Sequence, residues 1–149
     1  MQIQPLSHYP HLIPELAELH HAAWQGADVA TRCQALARFN AEGDLPLAFI
    51  ALDGDILCGS AFLMAADLSI YTQATPWLAG VYVKEAYRGH KIATRLIEHV
   101  MAAAMALGHT ELFLYTDEAQ ALYAGLGWQT VKETVYLDMD ISIMRRALP

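Results

Sequence analysis

The stretch from Trp77 to Tyr115 constrains the fold more than any other part of the chain. Trp77 to Val83 is an aromatic and β-branched run that reads as a strand. Lys91 to Leu107 carries Ile92, Leu96, Val100, Ala103 and Leu107 on one stripe, which is helical spacing. Gly108 stands where the C-terminal cap of that helix belongs. Leu112 to Tyr115 is an unbroken apolar run, as in a strand covered on both faces. A strand, a long helix and a strand in that order imply a parallel pair with a right-handed crossover.

The flanking segments fit around that unit. Ile3 to Leu6 reads as a short strand. Pro10 to Trp24 has Leu12, Ile13, Leu16, Leu19 and Ala23 at helical spacing, with Pro14 tolerable only near the first turn. A second helix is expected over Val29 to Asn40, ended by Gly43. Leu47 to Leu52 and Asp55 to Met64 are apolar runs around Asp53-Gly54, a strong hairpin turn. Ala119 to Leu126 reads as a short helix, and Trp128 to Leu137 and Ile141 to Met144 as closing strands. The expected order is β-α-α-β-β-β-α-β-α-β-β, with a mixed sheet.

Size and charge narrow the function classes. The chain has 149 residues, one domain's worth, and is 55% hydrophobic and 17% charged. Nine basic residues against sixteen acidic ones give a net charge of −7, so nucleic acid is a poor partner. No apolar run reaches the length of about 18 residues that a membrane span needs, and no signal-peptide pattern opens the sequence. Cys33 and Cys58 make neither a disulfide framework nor a zinc motif, and a reducing cytoplasm is the simplest compartment. His8-x-x-His11 and His20-His21 lack a third ligand at metal spacing, so no metal is expected.

The turn between Val83 and the long helix reverses the local charge. Lys84, Arg88, Lys91 and Arg95 are four of the nine basic residues, and Glu85 is the only acid among them. A helix N-terminus adds unpaired N–H groups and a positive dipole end, a setting that suits phosphate. Neither a P-loop nor a G-x-G-x-x-G fingerprint is present. By charge alone, a solvated basic loop remains the ordinary reading.

Two segments resemble the GNAT N-acetyltransferase superfamily in detail, and the element order resembles it throughout residues 1–149. Arg88-Gly89-His90-Lys91-Ile92-Ala93 is similar to that family's Q/R-x-x-G-x-G/A acetyl-CoA loop, after the strand Val81-Tyr82-Val83. Arg88 and Ala93 match, whereas Lys91 stands where the family usually has glycine. Leu114 to Trp128 resembles its strand, short A-x-x-L-Y helix and L-G-F/W ending, with Thr116 where asparagine is frequent. The resemblance implies a single α+β domain. Its central sheet would be mixed, mostly antiparallel and twisted, with about six to seven strands and about four flanking helices.

The same resemblance implies chemistry. Acetyl-CoA would lay its pyrophosphate on the N–H groups of Gly89, His90, Lys91, Ile92, Ala93 and Thr94, with Arg88 ordering the turn or adding charge. Its pantetheine amides would pair with the strand at Val81 and Val83, beside Tyr82, where Gly80 is a candidate bulge. Tyr123 falls on the tyrosine that often serves as general acid. The acceptor would be an amine, approached past the first two helices, and the acids Asp28, Glu42 and Asp44 would mildly favour a cation. No general base stands out: Asp67, Glu85, Asp117 and Glu118 each read first as solvated acids. A cofactor-binding module without turnover is the alternative, resting on Lys91 and Thr116. Closing strands such as Ile141 to Met144 could pair two copies into a homodimer.

Overall fold

A computed structural model describes residues 1–149. The chain begins with β1 (Gln2–Pro5), followed by α1 (Ile13–Trp24) and α2 (Val29–Leu36). The hairpin of β2 (Leu47–Asp53) and β3 (Ile56–Met64) leads to β4 (Trp77–Val83), α3 (Ile92–Ala106) and β5 (Glu111–Thr116). The chain closes with α4 (Gln120–Gly125), β6 (Gln129–Tyr136) and β7 (Met139–Ala147). The strands form one seven-stranded sheet in the order β1-β2-β3-β4-β5-β7-β6. All neighbours are antiparallel except β4 and β5, which α3 joins as the expected crossover.

Each face of the sheet buries its own core. On one face, α3 sets Ile92, Leu96, Ile97 and Val100 against Leu63, Leu78, Leu112 and Leu114. Burying each aliphatic chain of that size contributes about 1.5–3 kcal/mol. On the other face, Leu16, Ala17 and Leu36 of α1 and α2 cover Ala48, Ile50, Leu57 and Phe62. A third, smaller cluster lies on that second face, where Trp77, Phe113, Ile141 and Ile143 enclose Leu68 and Ala74.

Three expectations are corrected. The second helix stops at Leu36, not Asn40. The chain turns there because Phe39 packs on Phe62 at 4.6 Å and the Asn40 N–H bonds the Pro46 carbonyl at 2.9 Å. The stripe on α3 shifts too: Ile97 and Ala104 are buried, while Leu107 lies beyond the helix end at 40% exposure. Finally, β7 runs well past Ile141 to Met144 and pairs with β5 on one side and β6 on the other. Its backbone therefore has no free edge for a second copy. The outer strands of the sheet are β1 and β6.

Candidate active site

The parallel pair at the centre of the sheet barely pairs. Trp77 opposite Phe113 is its one register position, and beyond it β4 and β5 part. The cause lies in β4. Ser60 faces Tyr82 and Phe62 faces Ala79, so β4 carries one extra residue opposite Ala61, which is a bulge. Gly80 sits in it with φ +59°, and a Cβ there would lie 2.3 Å from the Phe62 ring. The glycine marks the bulge for two reasons, its left-handed backbone and the ring against it.

Parting leaves a slot lined by backbone. The Lys84 N–H donates to the Cys58 carbonyl at 2.8 Å, and two residues back Tyr82 faces Ser60. Backbone groups alternate sides along a strand, so those of Val81 and Val83 point away from β3 and into the slot. The Val83 carbonyl is taken by Arg88 Nε at 3.0 Å. The side chain of Tyr82 lies on the α1 face, against His20 at 5.8 Å and Trp24 at 6.1 Å.

Below the slot, the turn after β4 presents donors. The first α3 hydrogen bond runs from the Arg95 N–H to the Lys91 carbonyl at 3.1 Å, leaving Ile92, Ala93 and Thr94 N–H groups without helical acceptors. Gly89 and Lys91 both adopt left-handed backbone, with φ +83° and +60°. His90 Nδ1 bonds the Tyr87 and Arg88 carbonyls at 3.2 and 3.1 Å, which fixes the turn. The four cations divide their work. Lys84 pairs with Glu15 of α1 at 2.7 Å, Arg88 holds Val83, and Arg95 reaches the Met1 carbonyl at 3.4 Å. Lys91 is exposed and forms no ion pair.

Lysine at a left-handed position costs about 1–2 kcal/mol, part of which a glycine would recover. Lys91→Gly is therefore expected to raise the melting temperature by roughly 1–4 °C. A calorimetric scan that found a lower value would mean the lysine side chain itself secures the turn.

The two faces of the slot carry different chemistry. On the α3 face, Tyr123 of α4 is 8% exposed and stands edge-on to Trp128 at 6.0 Å. Its hydroxyl has no partner within the chain, and burial raises its pKa above the usual 10. Trp128 Nε1 beside it is buried and has no hydrogen-bond partner. Thr116 at the end of β5 accepts the Ala119 N–H at 3.0 Å, so its hydroxyl shapes the approach to α4.

On the opposite face, aromatic rings gather near a carboxyl. Tyr115 is two residues beyond Phe113 on the same side of β5. Its ring meets Trp77 at 6.5 Å and Tyr136 at 6.0 Å, and Tyr71 meets Trp77 at 6.3 Å. Burial first, then the charges of Asp67, Tyr136 and Asp117, push its hydroxyl up to about 12. Asp67 lies in the loop from β3 to β4, which Thr75 Oγ1 closes by donating to the Ala65 carbonyl at 2.7 Å. Half-buried and without an ion pair, its carboxyl is pushed up to about 7 by desolvation. The expectation of a solvated acid thus fails at Asp67, because buried Leu68 anchors the loop inward. No sequence pattern marked this residue, as its environment is assembled from β3, β4, β5 and β6. Asp28 is likewise committed elsewhere, capping α2 through the Thr31 N–H at 2.8 Å.

Comparison with known proteins finds the same fold. A family model described as the acetyltransferase (GNAT) family matches residues 10–128. An aminoglycoside 6'-N-acetyltransferase complexed with coenzyme A superposes with a TM-score of 0.82 at 18% identity, covering 100% of this chain and 98% of that one. A ribosomal-protein-alanine N-acetyltransferase from Brucella melitensis gives 0.80 at 18% identity, covering 99% and 100%. An acetyltransferase from Salmonella typhimurium, with its cofactor acetyl-CoA, gives 0.74 at 16% identity, covering 100% and 94%. At such identities the likeness shows the fold. No curated protein matches the sequence.

Proposed function

Because the chain belongs to the acetyltransferase (GNAT) family, we propose that it moves acetyl from acetyl-CoA directly to a primary amine. One observation carries this reading: the unpaired edge of β4 beyond Trp77, opening above the donors at the start of α3. Structural neighbours with coenzyme A or acetyl-CoA support the cofactor.

The residues fit such a ligand from end to end. The N–H groups from Gly89 to Thr94 would take the pyrophosphate, with Lys91 as the uncommitted cation. Arg88 would order the turn from behind, through its bond to Val83. The carbonyl of Val81 and the N–H of Val83 would meet the pantetheine amides as an added strand. These are the chain's own contributions; acetyl-CoA supplies the reactive thioester.

Transfer then needs a proton taken from nitrogen and charge stabilised on oxygen and sulfur. An alkyl ammonium has a pKa near ~10.4, so attack requires a base. Asp67, near neutrality in its pKa and on the face that α1 and α2 share, is suited to take that proton as the C–N bond forms. A backbone N–H of β4 would stabilise the thioester oxygen. Tyr123, kept protonated by burial, would donate to the departing sulfur from the opposite face. In this reading acid and base would approach the carbonyl from opposite sides of the sheet. An acceptor of cationic amine character suits the tyrosines, Asp67 and Asp117 around the opening, and the net charge of −7.

The alternative, a module that binds without turnover, loses its ground. Lys91 adopts the backbone that glycine would, and Thr116 holds the α4 approach by its own bond. No helix is long and apolar enough to cross a membrane, and no three His, Cys, Asp or Glu side chains gather as metal ligands.

Thermal melting with acetyl-CoA tests the reading. Millimolar ligand at about 100 times its Kd stabilises by ~2.7 kcal/mol, a rise of roughly 5–10 °C here. An unmoved melting curve would sink the cofactor site, and with it the function.

A further inference from the structure

Behind the bulge lies a buried chain of hydrogen bonds. Ser60 of β3 is 0% exposed and His20 of α1 is 2% exposed. Ser60 Oγ lies 2.8 Å from the Gly80 carbonyl oxygen, and His20 Nε2 lies 2.9 Å from Ser60 Oγ. A hydroxyl has one proton to give. The carbonyl can only accept, so the serine donates to it, and His20 Nε2–H donates to the serine. Burial, then Arg32, lowers the His20 pKa to about 4, so the ring is neutral and carries its proton on Nε2 at ordinary pH. Trp24 covers the ring at 4.5 Å, with Phe62 at 5.6 Å and Tyr82 at 5.8 Å around it.

The bond to Gly80 fixes more than one carbonyl. A trans peptide directs its C=O and N–H in opposite directions. With the Gly80 oxygen drawn toward β3, the N–H of Val81 must point away, toward the side that β5 has vacated. The bulge has removed the ladder partner that would otherwise hold this carbonyl, and φ +59° leaves the peptide dependent on a substitute.

We propose that Ser60 and His20 are positioning residues, which lock the Gly80–Val81 peptide so that the Val81 N–H is the donor to the thioester oxygen. The proposal rests on the acetyl-transfer reading and adds the device that aims its donor. Ser60 touches neither substrate nor cofactor. It acts through the peptide, and His20 acts through Ser60. Because His20 belongs to α1, the same bonds tie the wall of the acceptor side to the aim of the donor.

The distinguishing probe pair is acetyl-CoA and free coenzyme A, which differ by the carbonyl that the Val81 N–H would meet. In the wild-type protein, the Val81 amide proton should move downfield in NMR titration with acetyl-CoA and much less with coenzyme A. Equal shifts with both ligands would overturn the proposal, and this measurement needs no variant to fold. In Ser60→Ala, kcat should fall on the order of ten- to a hundredfold, while coenzyme A affinity stays within about twofold of wild type. His20→Gln, whose amide can still donate to Ser60, should retain more activity than His20→Leu. A Ser60→Ala protein that binds coenzyme A and keeps full kcat would refute the relay but leave the acetyltransferase reading intact. A wild-type protein that binds neither ligand would instead remove the reading on which the relay rests.

Discussion

Replacing Tyr123 by phenylalanine should slow turnover by a factor on the order of ten to a thousand, with coenzyme A affinity and melting temperature nearly unchanged. The separation follows from the environment of the side chain. The ring is buried among core residues and packs on Trp128, so phenylalanine keeps the packing. The hydroxyl binds nothing inside the chain, so its removal strands no partner. What disappears is the protonated donor of the proposed transfer. Burial raises the pKa of that donor, so it stays protonated through neutral pH and its own titration lies above pH 10. Against a thiol of pKa about 8.5, full proton transfer from such a phenol is uphill. Its proposed benefit is a hydrogen bond that strengthens as charge develops on sulfur, with the proton following late. Steady-state kinetics beside a coenzyme A titration provide the check. Unchanged kcat would assign Tyr123 to the core alone.

Replacing Asp67 by asparagine should stabilise the protein while disabling it. The carboxyl titrates near 3.8 when the chain is unfolded and about 7 in the fold. The native state therefore holds a proton that the unfolded state has lost between those values, and stability falls as pH rises across that window. The cost is absent below about pH 4 and complete above about 7. At 1.36 kcal/mol per unit its ceiling is ~4 kcal/mol, less whatever the asparagine amide loses on burial. Melting curves of Asp67→Asn and wild type should converge near pH 4 and separate upward for the variant by pH 8. If Asp67 is also the base, turnover falls on the order of a hundred- to ten-thousandfold, and the rise of wild-type activity through about pH 7 vanishes. A variant stabilised at pH 8 that kept full turnover and the same pH profile would leave Asp67 a buried acid with no catalytic part. Parallel melting curves at every pH would show that its carboxyl is well solvated.

Different parts of this site were legible to different degrees. The turn from Arg88 to Thr94 was readable because it is local: the bonds that shape it span a few residues, and its basic composition is contiguous. Gly80 was readable as a bulge because glycine inside an apolar strand is costly without a reason. The ends of elements were less so. Arg145 and Arg146 do not read as strand, yet β7 extends through them because Arg145 pairs with Glu111 and Arg146 Nε bonds the Leu126 carbonyl at 3.1 Å. The commitment of Lys84 to Glu15, 69 positions away, was equally hidden. In the sequence it counted as one more cation for the turn.

Periodicity, turn residues and a short contiguous motif by themselves determined the order of elements, the crossover between β4 and β5, the donor-rich turn and the tyrosine on α4. Each of these depends on neighbours within one helical turn or one strand, where sequence distance and spatial distance agree. Only the tertiary structure decided that Asp67 is withdrawn from water, that His20 and Ser60 stand behind the bulge, and that Tyr123 and the surroundings of Asp67 lie on opposite faces of the sheet. Those properties come from dielectric and direction. Both are set by side chains from distant strands, and neither is written in the identity of the residue that carries it.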